Sequence, residues 1–259
     1  MASFLVTGTS RGLGLSLVKT LLSKPPSEVS QIIACTRSLS ASGDLLSLIQ
    51  SSKGRIRHVQ IDLDNLATIS VAVPLVADIL GEKGLDYLVN NAAVRDPKPT
   101  ELEDMDFLPQ ALSTNVVGLH EVIKSFVPLL RKGKAKKIVN FSSTLGQLST
   151  AQTDPKMISV PFPAYKISKA GTHMVTALWS NRLKGEGFCV YIQSPGNLKT
   201  ELAGKEKADL APEVGAKEVI RIALEARPED TGRHRNILVP GWEQGGGVGG
   251  RYDGEDLYW

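Results

Sequence analysis

Cysteine is scarce in this 259-residue chain: Cys35 and Cys189 are the only two, and both lie inside apolar, strand-like runs. That excludes a disulfide framework and leaves two buried free thiols. No apolar run reaches the roughly 18 residues that cross a bilayer, so no membrane association is expected. The opening Met1–Ala2–Ser3–Phe4–Leu5–Val6 enters a glycine motif directly, without the layout of a signal peptide, and the expected location is the cytoplasm. Neither sign of charge dominates, since 30 Lys and Arg stand against 27 Asp and Glu. Aromatics make up 5% of the chain, and none interleaves with the one dense basic stretch, Arg131 to Lys137. That stretch reads as a solvated turn, and no nucleic-acid partner is expected. His58, His120, His173 and His234 show no metal-ligand spacing and are expected at the surface or at caps, with no metal site. What the chain does have is 42% hydrophobic and 22% charged residues, the balance of an ordinary folded protein with a substantial core.

Short β-branched or apolar runs alternate with longer helical patterns. Strands are expected at Phe4–Thr7, Gln31–Thr36, Ile56–Ile61, Leu85–Asn90, Lys136–Phe141, Phe188–Ser194 and Asn236–Val239. Most are continuous, as in parallel strands covered on both faces. Helices are expected at Gly12–Ser23, Asp44–Ser51, Leu66–Leu80, Thr114–Arg131, Ala164–Lys184 and Val214–Ala226. The alternation implies an α/β fold: one Rossmann-type doubly wound domain over residues 1–259, with a mostly parallel seven-stranded sheet and helices on both faces. Residues 245–250 hold five glycines and read as a loop, and the aromatic segment beyond it is expected to fold back on the body.

The first strand ends in Thr7-Gly8-Thr9-Ser10-Arg11-Gly12-Leu13-Gly14 and passes straight into a helix. Glycines there allow a tight turn and close backbone approach, while the helix start offers free N–H groups to a pyrophosphate. An NAD site would normally end the second strand in a carboxylate for the ribose 2′-hydroxyl. Here it ends Ala34-Cys35-Thr36-Arg37-Ser38. Arg37 and Arg11 suit a 2′-phosphate instead, which favours NADP(H).

Tyr165 and Lys169 are four apart at the start of a helical pattern and so share one helix face. An ammonium beside a phenol stabilises the phenolate and lowers the tyrosine pKa, making Tyr165 a proton donor to a developing alkoxide. The fifth strand runs into Ser142-Ser143-Thr144-Leu145-Gly146, which puts a hydroxyl at a strand's carboxyl end, where open α/β sheets bind ligands. Asn90-Asn91-Ala92-Ala93 closes the fourth strand, and Asn115 opens a long helix.

In this order the motifs resemble those of the short-chain dehydrogenase/reductase family over nearly the whole chain. The TGxxxGxG loop is Thr7–Gly14, the adenine-binding Asp matches Asp62 followed by Leu63, the NNAG motif is Asn90–Ala93, and the PGxxxT segment is Pro195–Thr200. The family's catalytic tetrad falls on Asn115, Ser143, Tyr165 and Lys169. Ser143 is preferred to Ser142 because the family serine precedes x-x-Gly, which Gly146 satisfies. The resemblance implies that Ser143 positions the carbonyl and Tyr165 supplies the proton. It implies that Lys169 lowers the tyrosine pKa and holds the ribose, while Asn115 organises a water. Cofactor contacts are implied for Gly8, Ser10, Arg11, Gly12, Leu13 and Gly14 in the first turn, and for Thr36, Arg37 and Ser38 after the second strand. Further contacts are implied for Asp62, Leu63, Asn91 and Ala92, for Tyr165 and Lys169, and for Pro195, Gly196, Leu198 and Thr200. The ending Tyr252-Asp253-Gly254-Glu255-Asp256-Leu257-Tyr258-Trp259 is similar to that of C-factor- and sniffer-like carbonyl reductases and of secondary-metabolite ketoreductases. Relatives often form a homodimer or homotetramer through the helices carrying Asn115 and Tyr165.

One departure stands out. Ser143 and Tyr165 are 22 positions apart, longer than the family's usual spacing. The added segment, 147–163, carries Pro155, Pro161 and Pro163 beside Met157, Ile158, Val160 and Phe162. It is expected to be irregular, stiffened by proline, and to roof a pocket for a bulky apolar substrate; a surface excursion or subunit contact is the other reading. The loop 201–211, with Lys205 and Lys207, is expected to close over the site. The function expected is NADP(H)-dependent interconversion of a carbonyl and a secondary alcohol on a small-molecule substrate. The competing readings are a lyase, isomerase or cyclase in the same pocket, and a non-catalytic NADPH sensor.

Overall fold

The computed structural model describes residues 1–204, 208–245 and 250–259. Lys205 and Lys207 of the expected closing loop, and most of the glycine run at 245–250, lie outside the described residues.

Seven strands form one sheet: β1 Ala2–Thr7, β2 Val29–Thr36, β3 Ile56–Gln60, β4 Tyr87–Asn90, β5 Lys137–Phe141, β6 Cys189–Gln193 and β7 His234–Arg235. Their order is β3-β2-β1-β4-β5-β6-β7, and every neighbouring pair is parallel. The continuous apolar runs follow from this. Successive side chains point to opposite faces, and both faces are covered. Phe4 and Val6 enter one core layer while Leu5 enters the other; Val139 and Ile138 divide in the same way.

The first layer packs the sheet against α1 Gly12–Ser23 and α9 Pro212–Glu225, with Leu17, Leu21, Val219 and Ile220 fully buried. The second packs it against α3 Leu66–Leu80, α5 Leu119–Lys132 and α8 Pro163–Leu183, through Val76, Val122, Phe126 and Leu183. The sheet reverses its winding between β1 and β4. The carboxyl ends of these strands, with those of β5 and β6, therefore frame the crevice in which such sheets bind ligands.

Three expectations need correction. The seventh strand is His234–Arg235 and not Asn236–Val239. Its partner β6 is followed by Ser194 and then Pro195, which has no N–H to extend the ladder. Residues 236–239 pair instead with the C-terminal segment, where Val239 N–H donates to the Tyr252 carbonyl at 2.9 Å. The expected helix Thr114–Arg131 is preceded by α4 Leu108–Leu112 and passes through a wide π turn at Ser113–Gly118 before α5 begins. The segment 147–163 is not irregular: it holds two short helices, α6 Leu148–Ala151 and α7 Pro155–Ser159. The remaining helix, α2, spans Gly43–Ser51. No helix among the described residues is long and apolar enough to cross a membrane.

Candidate active site

The glycine turn after β1 packs backbone closely against backbone. A Cβ on Gly14 would lie 2.1 Å from the Gly8 carbonyl oxygen, and one on Gly8 would lie 2.9 Å from Ala92 Cα. Asn91 locks the turn, its Nδ2 donating to the carbonyls of Thr7 at 2.8 Å and Gly8 at 3.1 Å. Thr7 Oγ1 in turn accepts from the N–H groups of Asn91 and Ala92. Arg11 sits at the N-cap of α1 but makes no side-chain capping bond, which leaves first-turn N–H groups for a phosphate. This cradle fits the pyrophosphate of a dinucleotide.

At the end of β2, Thr36 turns its hydroxyl inward, donating to the Ser38 carbonyl at 3.1 Å and meeting His58 Nε2 at 2.8 Å. Arg37 and Ser38 are exposed, and no carboxylate follows the strand. Arg11 pairs with Glu201 at 3.0 Å, both side chains being largely exposed, so the two arginines are not equally free. Asp62 is half-buried and its Oδ1 accepts from Asp64 N–H, while Leu63 is buried in the core. Below the cradle, Gly196 has a φ of +89° and Leu198 is buried in the first layer, so its side chain serves packing. Thr200 lies against the cradle, 3.2 Å from where a Gly12 Cβ would stand. Ser10 and Leu13 flank the same turn.

The four expected tetrad residues stand around the carboxyl end of β5. Asn115, in the π turn, accepts from Val94 N–H at 2.9 Å and donates to Val94 O at 2.8 Å and to Ser168 Oγ at 2.9 Å. Ser168 then donates to the Tyr165 carbonyl at 2.8 Å. Lys169 Nζ donates to the Phe141 carbonyl at 2.8 Å and lies 5.5 Å from the centre of the Tyr165 ring. The turn Thr144–Gly146 packs tightly on α8, since a Cβ on Gly146 would meet the Lys169 backbone at 2.7 Å. Ser142 is buried and donates to the Lys169 carbonyl at 3.4 Å, whereas Ser143 is half-buried and accepts from Leu145 N–H. Ser143 is therefore the more available hydroxyl.

The electrostatics differ from expectation. Burial pushes the Tyr165 phenol up to about 12, and the charge that opposes this is Arg95's. Burial also lowers the Lys169 ammonium to about 8, so the lysine loses its proton well before the phenol does. His173 and His234, expected at the surface or at caps, are both buried and stack edge to face at 5.0 Å. His234 meets Ser194 Oγ at 2.9 Å and the Tyr258 carbonyl at 3.1 Å.

The sequence reading missed several residues that hold this site together. Asp96 is buried, and its Oδ2 accepts from Tyr165 N–H at 2.9 Å. Arg95 lies with its guanidinium carbon 3.9 Å from the centre of the Phe162 ring. Gln147, also buried, donates to the Tyr258 carbonyl and so ties the C-terminal segment to the added segment. Tyr252 accepts from Asn197 N–H at 3.1 Å and donates to Asp209 at 2.6 Å, and the C-terminal segment folds back on the body through it. A lone polar residue in a loop carries no periodic signal, and only the aromatic ending hinted at such contacts.

A family profile described as short chain dehydrogenase matches residues 3–211. The short-chain dehydrogenase anuI of Penicillium roqueforti is 30% identical over 234 residues, covering 87% of this chain and 90% of that protein. The short-chain dehydrogenase/reductase AacuF of Aspergillus aculeatus is 32% identical over 227 residues, covering 84% and 79%. Among solved structures, the carbonyl reductase Sniffer of D. melanogaster matches with a TM-score of 0.83 at 27% identity, covering all of both chains. An NADPH-bound carbonyl reductase from chicken fatty liver shares the fold, with a TM-score of 0.83 at 24% identity over 100% of this chain and 94% of that one. With its Gly8–Gly14 cradle and the Tyr165–Lys169 pair at the carboxyl end of one parallel sheet, this chain belongs to the short chain dehydrogenase family of oxidoreductases.

Proposed function

We propose that the protein is an NADP(H)-dependent ketoreductase that interconverts a bulky, largely apolar carbonyl compound and its secondary alcohol. The observation that carries the reading is the bonded chain from Val94 through Asn115 and Ser168 to Tyr165, with Lys169 one helical turn on. In this reading the phenol of Tyr165, the amine of Lys169 and the hydroxyl of Ser143, which follows β5, act on one carbonyl oxygen.

Gly8–Gly14 and the start of α1 would hold the pyrophosphate, Asp62 the adenine end, and Arg37 a 2′-phosphate, for which its fork is well matched. When bound, the cofactor supplies the hydride. Tyr165 gives its proton to the carbonyl oxygen, and Ser143 donates a hydrogen bond to the same oxygen as negative charge grows there. Lys169 donates to the Phe141 carbonyl and lies 5.5 Å from the centre of the Tyr165 ring, and it would also hold the ribose. Asn115 keeps the π turn closed against α8 through Ser168 and Thr172. The substrate reading is supported by the added segment, where Leu148 and Ile158 are exposed beside half-buried Met157, Val160 and Phe162.

Titration of the purified protein with NADPH and NADH, followed by NADPH oxidation with aromatic ketones and quinones, tests the reading. The expected result is tighter binding of NADPH and its oxidation by the larger ketones. NADPH binding without oxidation by any carbonyl would move the protein to the non-redox or sensor readings.

A further inference from the structure

We propose that Arg95 and Asp96 are positioning residues for Tyr165: Asp96 fixes its backbone in the first turn of α8, and Arg95 clamps Phe162, the residue that precedes that helix, against the β4 loop. The inference rests on the reading of Tyr165 as the proton donor.

The loop after β4 is stitched at several points to the segment entering α8. Val94 is held on both its N–H and carbonyl by Asn115. Arg95 stacks on Phe162, and Thr100 N–H donates to the Pro161 carbonyl at 3.0 Å. Asp96, 1% exposed, accepts from Tyr165 N–H in the first turn of α8, where the helix's own bonds leave that donor free. Asp96 Oδ1 and Arg95 Nε are both buried and have no hydrogen-bond partner among the described residues. A carboxylate oxygen and a guanidinium nitrogen shielded from water with unspent bonds are costly to the fold. A role beside the tyrosine accounts for their presence.

The test uses the full chain labelled with 13Cζ-tyrosine, the Tyr165 signal being assigned from Tyr165→Phe. At pH 7 the Tyr165 signal is expected to move in Asp96→Ala while the other tyrosine signals stay, and to return in Asp96→Asn, which keeps an acceptor for the Tyr165 N–H. In turnover with NADPH and a ketone, Arg95→Met and Asp96→Ala lose about tenfold or more in kcat with KM for NADPH unchanged, while Asp96→Asn recovers most of it. Coincident Tyr165 signals and equal kcat in wild type and Asp96→Ala would overturn the inference and leave the reductase reading standing. A wild type that reduces no carbonyl would overturn that reading, and the Tyr165 signal would still decide the role of Asp96.

Discussion

The two sides of the crevice are built by different means. On the cofactor side, backbone meets backbone: Gly14 against the Gly8 carbonyl, Gly8 against Ala92, with Asn91 bonded to both Thr7 and Gly8. On the substrate side, single side chains reach between segments: Asp96 to the Tyr165 N–H, Arg95 to Phe162, and Gln147 to the Tyr258 carbonyl. Close backbone packing leaves one admissible residue type per position and fixes a shape that any dinucleotide needs. Side-chain clamps hold their segments equally well yet can be exchanged, and that suits the side of the site where substrates differ.

The contrast can be broken first at the chemistry. Tyr165→Phe keeps the ring and its packing but removes the proton, and turnover is expected to fall by about two to four orders of magnitude with NADPH affinity intact. Steady-state kinetics with parallel fluorescence titration check this. On the cofactor side, Gly14→Ala forces a methyl against the Gly8 carbonyl and is expected to cost about 1–3 kcal/mol or more, in NADPH affinity and stability alike. Urea denaturation with and without NADPH measures it. Arg37→Ala is subtler, losing about 1.5–3 kcal/mol of NADPH affinity, the scale of hydrogen bonds to a charged group, with NADH affinity unchanged. On the substrate side, Ile158→Ser alters an exposed residue and is expected to move stability by no more than about 0.5 kcal/mol while raising KM for large ketones only.

Acid sensitivity sharpens the contrast from another direction. Burial lowers His173 to about 3 and His234 to about 4, from ordinary values near 6.5. The unfolded chain therefore binds more protons than the folded one below about pH 6.5. Stability is full above that pH and falls as pH drops toward 4 and then 3, by about 1.4 kcal/mol per pH unit for each histidine. Both His173 nitrogens are buried without a partner among the described residues, so His173→Leu is expected to flatten the acid limb of a plot of Tm against pH without loss at pH 7. An unchanged acid limb would exclude His173 as a source of it.

Much of this architecture was legible in the sequence, for physical reasons that differ between elements. Helix α3 spans Leu66–Leu80 as expected, and β2, β3 and β5 share their expected cores, because doubly covered parallel strands must be apolar throughout. β7 was misplaced because the apolar run at 236–239 is real but serves the C-terminal segment, and the decisive residue, Pro195, lies just beyond the neighbouring strand β6. The π turn holding Asn115 leaves no mark on a helical pattern, since one wider turn shifts the phase by less than the pattern resolves. The expected lowering of the Tyr165 phenol left out its burial, which raises it. Spacing four residues apart places the pair on one face but says nothing of how deeply both are buried. Arg95 and Asp96 were illegible for the reason that makes them interesting: their partners are far away in sequence.

The most direct measurement follows the absorbance of reduced nicotinamide while wild type and Tyr165→Phe, each saturated with NADPH, are offered a panel of bulky aromatic ketones. The account predicts oxidation by wild type with at least one of them, slower with NADH, and nearly none by the variant. Equal rates for the two proteins, or faster turnover with NADH, would contradict it.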